Sequence, residues 1–453
     1  MTSVAEKTAP RPKGKHWLLG NFKEMISDPL SYLTRIQKEE GNLIYLSSPM
    51  ADTYVVYDAD GIKHILQDNN KNYRKGDLIK KLKPLFGDGL VTNEGDFWKK
   101  QRRLMQPAFN KERYGEIIAV ITQCVADLLE QWENKYKDGD EINISMEMNK
   151  LALRVVAKAL FKTDIEENIP VINQNLAFVL SQMFKRFSNP VAYAEWLPIP
   201  GNLQEKRNIK ELDKIIYGII KAKKERGTKN GDILDMLMEV MDVETNERMT
   251  DKQIRDEVMT IIVAGHETTA NAMSFMWYAL VEHPEIISKV DDEAGKVASE
   301  DGVLRPENMR NAAYIRQVVQ ETLRLYPPPS VLQRETIEED VVCGYHIPKK
   351  KNVMIPTFVV HRMKEYWGED AEDFNPDRFV PEKMGQMPKY AYLPFGGGQR
   401  LCIGDQFATF EMMIALLKIS QKYRFERVSP EPVLELAMAM RPKEDIILRI
   451  FNR

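Results

Sequence analysis

An apolar segment between Thr250 and Pro284 constrains the fold more than any other part of the chain. Thr250 and Gln253 have the spacing of a capping box, and Pro284 cannot continue a helix. The pattern therefore predicts one helix over 251–282, which would be roughly 48 Å long at 1.5 Å per residue. Because the polar run His266–Thr269 interrupts its middle, we expect a buried helix and not a membrane span.

Shorter predicted elements precede and follow this helix in the sequence, and no repeat or obvious linker divides the chain. We expect a mainly α fold with smaller β-sheets, an α+β class, in which residues 1–15 form a flexible tail and 16–453 form a single domain. The expected elements are a hairpin of 43–47 and 53–58 around Pro49, helical periodicity over about 94–326, a helix over about 307–325, short strands within 333–360, and a final helix over about 404–422 before a β-like tail.

Composition excludes several classes of protein. Of 453 residues, 43% are hydrophobic and 29% charged, which is typical of a globular protein, and the net charge of -3 predicts no nucleic-acid partner. The three cysteines are far apart, so we expect no disulfides and a cytoplasmic location; Cys124 and Cys343 are interpreted as small buried side chains. The first 21 residues lack the pattern of a signal peptide, so we expect no leader and no membrane anchor.

The strongest chemical signal is the segment FGGGQRLCIG, from Phe395 to Gly404. Its three glycines allow conformations closed to other residues and a close approach to a flat ligand. Cys402 precedes a predicted helix, whose N–H groups favour a thiolate over a thiol. Arg400 could pair with a carboxylate of the ligand. A glycine turn followed by an ordinary buried cysteine is the alternative interpretation of these residues.

At Phe395, Gly398, Arg400, Cys402 and Gly404 this segment resembles the heme-binding signature of the cytochrome P450 family. The resemblance implies heme b as cofactor, with Cys402 as the sulfur ligand of the iron and Phe395 packed near that sulfur. It also implies a heme-thiolate monooxygenase, an oxidoreductase of the bacterial type without a fused reductase. A thiolate ligand favours cleavage of the O–O bond.

Two further motifs agree with this resemblance. Glu321 and Arg324 are three residues apart, so they lie on one helix face, where they could form an ordinary surface ion pair. The family instead completes a buried network with the arginine that stands here as Arg378, which implies a structural role for all three. On the central helix, Ala264 and the residues after it resemble the family's oxygen-activation segment.

In that segment the resemblance assigns Glu267 and Thr268 to proton delivery, and Gly265 to leaving room for oxygen. Ala264 would lie against the heme. From the residues alone, Thr268 could equally bond only to the carbonyl of the preceding turn.

Trp98 and Arg102 are four residues apart, so their indole and guanidinium groups lie on one helix face. Alone, the pair fits a tryptophan that anchors a basic helix; the resemblance assigns both to the heme propionates, together with Arg334. Neighbouring Lys99, Lys100 and Arg103 either attract an acidic electron donor or form a solvated basic face.

The resemblance implies an apolar substrate, a fatty acid or an isoprenoid, and electrons from a ferredoxin or flavodoxin-type donor with its reductase. We expect a monomer. Helices near 172–190 and 203–222 are predicted to form an access lid. The predicted substrate pocket comprises Leu78, Leu90, Ile261, Ala264, Ser330, Val331 and Leu332. Two alternatives remain at this point: a heme-thiolate enzyme that uses peroxide or rearranges a hydroperoxide, and a non-enzymatic heme sensor.

Overall fold

The computed structural model describes residues 8–13, 22–47, 52–162, 168–188, 194–227, 231–297, 303–436 and 439–453. The helices in this part of the chain are, in order, α1 (Phe22–Ser27), α2 (Pro29–Glu40), α3 (Ala59–Lys63), α4 (Asp77–Lys80), α5 (Lys83–Phe86), α6 (Gly95–Met105), α7 (Tyr114–Lys135), α8 (Ile144–Phe161), α9 (Ile169–Ser188), α10 (Pro200–Arg226), α11 (Ile233–Glu239), α12 (Asp251–Val281), α13 (Pro284–Val297), α14 (Pro306–Asn311), α15 (Ala313–Leu325), α16 (Thr357–Val360), α17 (Lys364–Trp367), α18 (Pro381–Met384) and α19 (Asp405–Lys422).

The strands are short. They are β1 (Leu43–Leu46), β2 (Thr53–Val56), β3 (Tyr73–Arg74), β4 (Glu141–Asn143), β5 (Leu332–Thr336), β6 (Asp340–Val342), β7 (Tyr345–Ile347), β8 (Asn352–Ile355), β9 (Tyr423–Arg427), β10 (Leu434–Leu436), β11 (Met440–Pro442) and β12 (Ile447–Asn452). The predicted hairpin is present as antiparallel β1 and β2, while its turn at Pro49 lies outside the described residues. A mainly α fold with small sheets is therefore confirmed.

The described residues form two compact units. The first comprises those up to Asp77 with Gln320–Asp405 and Ala439–Arg441; the second comprises those of Leu78–Val319, Gln406–Met438 and Pro442–Arg453. The organisation of 16–453 as one domain stays a prediction.

The first unit contains a five-stranded sheet in the order β1-β2-β8-β5-β3. Residues 8–13, assigned from the sequence to a flexible tail, pack on its edge strand, because the N–H of Tyr45 donates to the carbonyl of Pro10 at 2.9 Å. The same unit has an apolar cluster in which Trp367, Ala371 and Phe379 are buried together.

The second unit contains α12 and the helices around it. The capping box predicted at Thr250 and Gln253 is present, and the helix ends at Val281, one residue before the predicted end. Its middle packs closely on α8, since a Cβ added to Gly265 would lie 2.9 Å from Cγ2 of Val156. The three-stranded sheet β4-β12-β9 also belongs to this unit.

Two predictions are wrong in detail. The helix expected over 307–325 is two helices, because the chain turns at Ala312 and Glu293 of α13 then caps α15 by accepting from the N–H groups of Tyr314 and Ile315, at 2.9 and 2.7 Å. Cys343 is exposed and not buried: it has a φ of 53° in the β6–β7 turn. Cys124 is buried as expected, and burial raises the pKa of its thiol to about 12.

Candidate active site

The cysteine segment folds as a closed loop in the first unit. The N–H of Cys402 donates to the carbonyl of Phe395 at 3.0 Å, and Gly398–Arg400 form a 3₁₀ turn inside the ring. Cys402 is exposed, and α19 begins three residues later at Asp405. The thiol therefore stands just before a helix N-terminus, where unpaired N–H groups stabilise a negative charge.

Two of the three glycines are required by close packing. Gly398 has a φ of +65°, and a Cβ there would lie 1.8 Å from the carbonyl oxygen of Leu66. A Cβ on Gly397 would lie 2.6 Å from Cε1 of Tyr390. Apart from its chain neighbours, no atom of the described residues lies within 4 Å of a Cβ added to Gly404, so these residues leave space beside it.

A buried charge network lies beneath the loop. Glu321 accepts from Arg324 Nε at 2.6 Å and Nη2 at 2.8 Å, and its Oε1 lies 3.5 Å from Nε of Arg378. Glu321 and Arg324 are fully buried, unlike the surface pair that spacing alone allowed. A buried charge is tolerated only when its remaining hydrogen-bonding groups are also satisfied.

Arg324 satisfies its remaining donors with backbone carbonyls. It donates to His361 at 2.8 Å, Ala371 at 2.6 Å and Asp373 at 3.0 Å. Nε2 of His361 then accepts from the N–H of Leu393, two residues before Phe395, at 2.9 Å. The network thus reaches the cysteine loop through a histidine.

Arg334 and Arg400 line one small cavity of the first unit, together with Ile65, Asn70 and Tyr73. Arg334 lies on β5 and Arg400 in the 3₁₀ turn, so two distant parts of the sequence bring two guanidinium groups to one place. Such a pair suits a ligand with carboxylate groups.

In the second unit, one face of α12 differs from the rest of the helix. Most of its residues are buried, but Ala264 is exposed, and Ile261 and Thr268 are partly exposed. These three residues recur at helical spacing on one face, and we call them the open stripe. Gly265 is not part of it, because the Cβ that it lacks would point at Val156 of α8. The stripe carries aliphatic groups and one hydroxyl.

Thr268 donates from Oγ1 to the carbonyl of Ala264 at 2.6 Å, the local bond that its position in a helix allows. Glu267 is partly exposed beside it. His266 points the other way: it is buried, and that burial lowers its pKa to about 4, so it is neutral near pH 7. The titratable group next to the stripe is therefore Glu267.

Trp98 is buried on α6, and Arg102, one turn later, donates from Nε to Oε1 of Gln106 at 3.1 Å. Both belong to the second unit, whereas Arg334 and Arg400 belong to the first.

The basic residues of α6 have acidic partners in their own unit. Arg103 donates to Asp242 at 2.8 Å and to Glu244 at 2.9 Å, and Lys100 pairs with Glu247. Although burial opposes it, the hydrogen bond from Arg103 lowers the pKa of Asp242 to about 2. These cations are compensated by the 242–247 turn.

The predicted pocket residues fall on both units. Leu90 is buried in the second unit near the N-terminal half of α12, whereas Ser330, Val331 and Leu332 run into β5 of the first. Leu332 approaches the cysteine loop, because a Cβ on Gly396 would lie 3.9 Å from its Cδ1. The side chain of Leu78, in α4, lies outside the described residues. The helices of the predicted lid are α9 and α10, with Arg186 and Glu205 paired between them.

These features define a heme-thiolate enzyme, and comparison with known proteins agrees. Residues 10–449 match the family model described as cytochrome P450. The chain is 30% identical to cyclooctatin synthase of Streptomyces melanosporofaciens over 95% of this chain and 96% of that protein. It is also 30% identical to cyclooctat-9-en-7-ol 5-monooxygenase of the same organism, over 93% and 90%. The crystal structure of the cytochrome P450DA heme domain has a TM-score of 0.89 at 24% identity, over 99% and 98%.

The chain belongs to the cytochrome P450 family. It is a P450 monooxygenase, an oxidoreductase whose cofactor is heme, and members of the family generally take electrons from a redox partner. The residues fit this cofactor: an exposed thiol ahead of a helix N-terminus suits iron, and two arginines on one cavity suit the two propionates. None of the described helices is long and apolar enough to cross a lipid bilayer.

Sequence reasoning missed two parts of the site's surroundings. It did not identify the bond from the N–H of Leu393 to His361, and it overlooked Asp256 and Glu257, whose buried carboxylates bind a loop near Leu90. The position of Glu257 on the same predicted helix face as Ile261, Ala264 and Thr268 was a signal that could have found the second, since a carboxylate on a buried face needs partners.

Proposed function

We propose that this protein hydroxylates a C–H bond of an apolar isoprenoid, using dioxygen and electrons from a separate ferredoxin or flavodoxin-type donor and its reductase. The observation that carries the proposal is the exposed thiol of Cys402, held in a closed loop just before α19. Bound heme supplies the reductive activation of dioxygen, with a thiolate ligand favouring O–O cleavage.

Each residue of the site has one role in this proposal. Cys402 is the ligand of the iron, and Phe395 and Gly404 form the loop around it. Arg400 and Arg334 hold propionates, as do Trp98 and Arg102. Glu267 passes a proton toward the hydroxyl of Thr268, whose present acceptor is the Ala264 carbonyl. A hydroxyl that can exchange its partner is suited to holding a water or dioxygen.

The substrate class is inferred from the uncharged character of the residues predicted to contact the substrate. Leu90, Ile261, Ala264, Ser330, Val331 and Leu332 are all uncharged, and all but one are aliphatic. The carboxylate of a fatty acid would need a cationic or strongly polar partner, which these residues do not provide. A hydrocarbon with few polar groups fits these residues better. The name of one relative, cyclooctat-9-en-7-ol 5-monooxygenase, also supports a substrate of this kind.

The basic residues of α6 support binding of an acidic electron donor less strongly than the sequence suggested. Lys100 and Arg103 already pair with the 242–247 turn, so an acidic partner would compete with carboxylates of the same chain. We therefore expect donor binding to depend on ionic strength only weakly through these two residues.

The test is the carbon monoxide difference spectrum of the reduced protein, followed by turnover. Wild-type protein and a Cys343→Ser control, which changes the other exposed cysteine, should give the strongly red-shifted Soret band of a thiolate ligand; Cys402→Ser should lose it. A Cys402→Ser protein that keeps this band would overturn the assignment of Cys402.

Turnover then distinguishes the reaction and the substrate. A panel of isoprenoid hydrocarbons, isoprenoid alcohols and long-chain fatty acids is incubated with a ferredoxin, its reductase and NADPH, or with hydrogen peroxide alone. We expect hydroxylated isoprenoids with the donor system. Oxidation only of fatty acids would overturn the substrate class, and turnover only with peroxide would overturn the monooxygenase reaction.

A further inference from the structure

The loop after α5 is bound to α12 through its backbone. Oδ2 of Asp256 accepts from the N–H of Asp88, and Oε2 of Glu257 accepts from the N–H of Leu90, both at 2.9 Å. The two carboxylates are 2% and 1% exposed. Buried charge-assisted bonds of this kind fix the position of the groups that they join. We call residues 87–90 the bound loop.

Two glycines make this approach possible. Gly87 has a φ of +57°, and a Cβ there would lie 2.1 Å from Oδ1 of Asp256. A Cβ on Gly89 would lie 2.2 Å from Oγ1 of Thr260 and 2.7 Å from the backbone oxygen of Asp256. The bound loop therefore touches the helix backbone itself, at a distance that no larger residue could keep.

Basic side chains compensate Asp256 and extend the connection to α10. Arg255 donates from Nη1 to Oδ1 of Asp256 at 3.0 Å and to the carbonyl of Leu85 at 2.9 Å. Its Nε donates to Asp213 of α10 at 2.7 Å. Lys252 donates to Oδ2 of Asp256 at 2.8 Å. One polar cluster thus joins α12 to the bound loop and to α10.

The cluster lies in line with the open stripe. Glu257, Ile261, Ala264 and Thr268 are spaced by four, three and four residues, so they share one face of α12. At 1.5 Å per residue, Glu257 is about 16 Å along the helix from Thr268. The hydrogen bond that Glu257 accepts therefore holds Leu90 at one end of the helix face on which the proposed reaction takes place.

We propose that Asp256 and Glu257 are positioning residues that hold the bound loop at a fixed distance from α12 and thereby set which sizes of apolar substrate are accepted. The substrate class in this inference rests on the proposed function. The hydrogen bonds that position the loop are independent of that function. Neither residue touches the reacting atoms; each acts through the backbone of the loop.

The first test is amide hydrogen exchange over 85–93 in the heme-loaded protein. Glu257→Met keeps the length of the side chain but removes the acceptor, whereas Glu257→Gln keeps an acceptor oxygen. We expect the exchange rate of the Leu90 amide to increase about tenfold or more in the methionine variant. In the glutamine variant the rate should be close to that of the wild type. Unchanged exchange in the methionine variant would overturn the proposal.

The second test is selectivity. Binding of isoprenoid alcohols of increasing length is measured through the ferric heme absorbance, with kcat and KM determined separately. The methionine variant should lose about tenfold in affinity for the best-fitting member while longer members gain, so that KM changes more than kcat; the carbon monoxide band should not change. Equal binding constants for the whole panel in both proteins would overturn the role in selectivity.

Two further variants keep the test valid if Glu257→Met does not fold. Gly89→Ala displaces the bound loop sterically and should flatten selectivity in the same way. The control is Gly115→Ala on α7, whose Cβ would approach no other segment of the described residues within 4 Å; it should leave selectivity unchanged. Asp88→Asn removes a carboxylate that pairs with Lys83 and Lys252 but keeps the backbone N–H, so it should retain wild-type selectivity. Flattened selectivity in Asp88→Asn but not in Gly89→Ala would overturn the proposal.

Failure of the proposed function has a different signature. If the wild type binds no isoprenoid but the exchange of Leu90 still increases in Glu257→Met, the substrate class is wrong and the loop is positioned as described. If the wild type binds the panel and exchange and selectivity are unaffected, the positioning role is wrong.

Discussion

Nε2 of His361 accepts a hydrogen bond from the N–H of Leu393, and this 2.9 Å bond fixes the tautomer of a fully buried histidine. Because Nε2 must be unprotonated, the ring proton is on Nδ1, which lies 3.1 Å from the carbonyl of Arg324. Burial, together with the charge of Arg324, lowers the pKa of His361 to about 3. The neutral form is therefore the one that holds the segment leading to the cysteine loop.

Acid should destabilise the protein through this histidine. In the unfolded chain His361 has an ordinary pKa of about 6.5, so below that pH the unfolded state binds the extra proton and the free energy of unfolding falls as pH falls toward the folded pKa of about 3. From about pH 7 to about pH 5 the loss from this group is on the order of 2 kcal/mol. His361→Gln, with an acceptor and a donor but no titration, should lose less over the same interval in denaturant unfolding. Equal pH dependence in both proteins would contradict this account.

Removing the buried arginine of the charge network should be far more costly than removing a surface one. Arg324→Met leaves the carboxylate of Glu321 in a fully buried site without its main partner, and we expect a loss of about 3–5 kcal/mol in the free energy of unfolding. The control is Arg310→Met, which breaks a pair of the same i, i+3 spacing whose side chains are 70% and 67% exposed; it should cost less than about 0.5 kcal/mol. Similar losses in both variants would mean that burial does not decide the effect.

Thr268 should be needed for coupling and not for folding or heme binding. Thr268→Val has the same shape without the hydroxyl, so it should keep the carbon monoxide band while product formation falls by about 10²-fold, the low end of what a positioned proton donor contributes. Thr268→Ser retains a hydroxyl and should recover much of the activity. Product formed per NADPH consumed is the measurement. A valine variant as well coupled as the wild type would exclude a role for this hydroxyl.

Spacing within one helix could be predicted, and contacts between distant segments could not. The capping box of Thr250 and Gln253 follows from helical geometry alone, because side chains three residues apart are neighbours on a helix. The break at Ala312 depends on Glu293 of another helix, and the acceptor of the Leu90 amide is Glu257, 167 residues later. Such partners are chosen by tertiary packing, which local periodicity does not describe.

The cysteine loop shows the same contrast, since its residues could be identified from their spacing but the contacts that require its glycines could not. Gly398→Ala should prevent the loop from closing, because its Cβ would overlap the carbonyl of Leu66 at 1.8 Å and the φ of +65° is itself unfavourable; we expect a loss of at least about 3 kcal/mol in the free energy of unfolding. The new Cβ of Gly404→Ala would meet no atom of the described residues within 4 Å beyond its chain neighbours, so the fold should be preserved and any defect should appear as weakened heme retention. Circular dichroism and heme content of the two variants separate these cases. A Gly404→Ala protein that loses its fold, or one that retains heme as well as the wild type, would show that this glycine does not serve the cofactor.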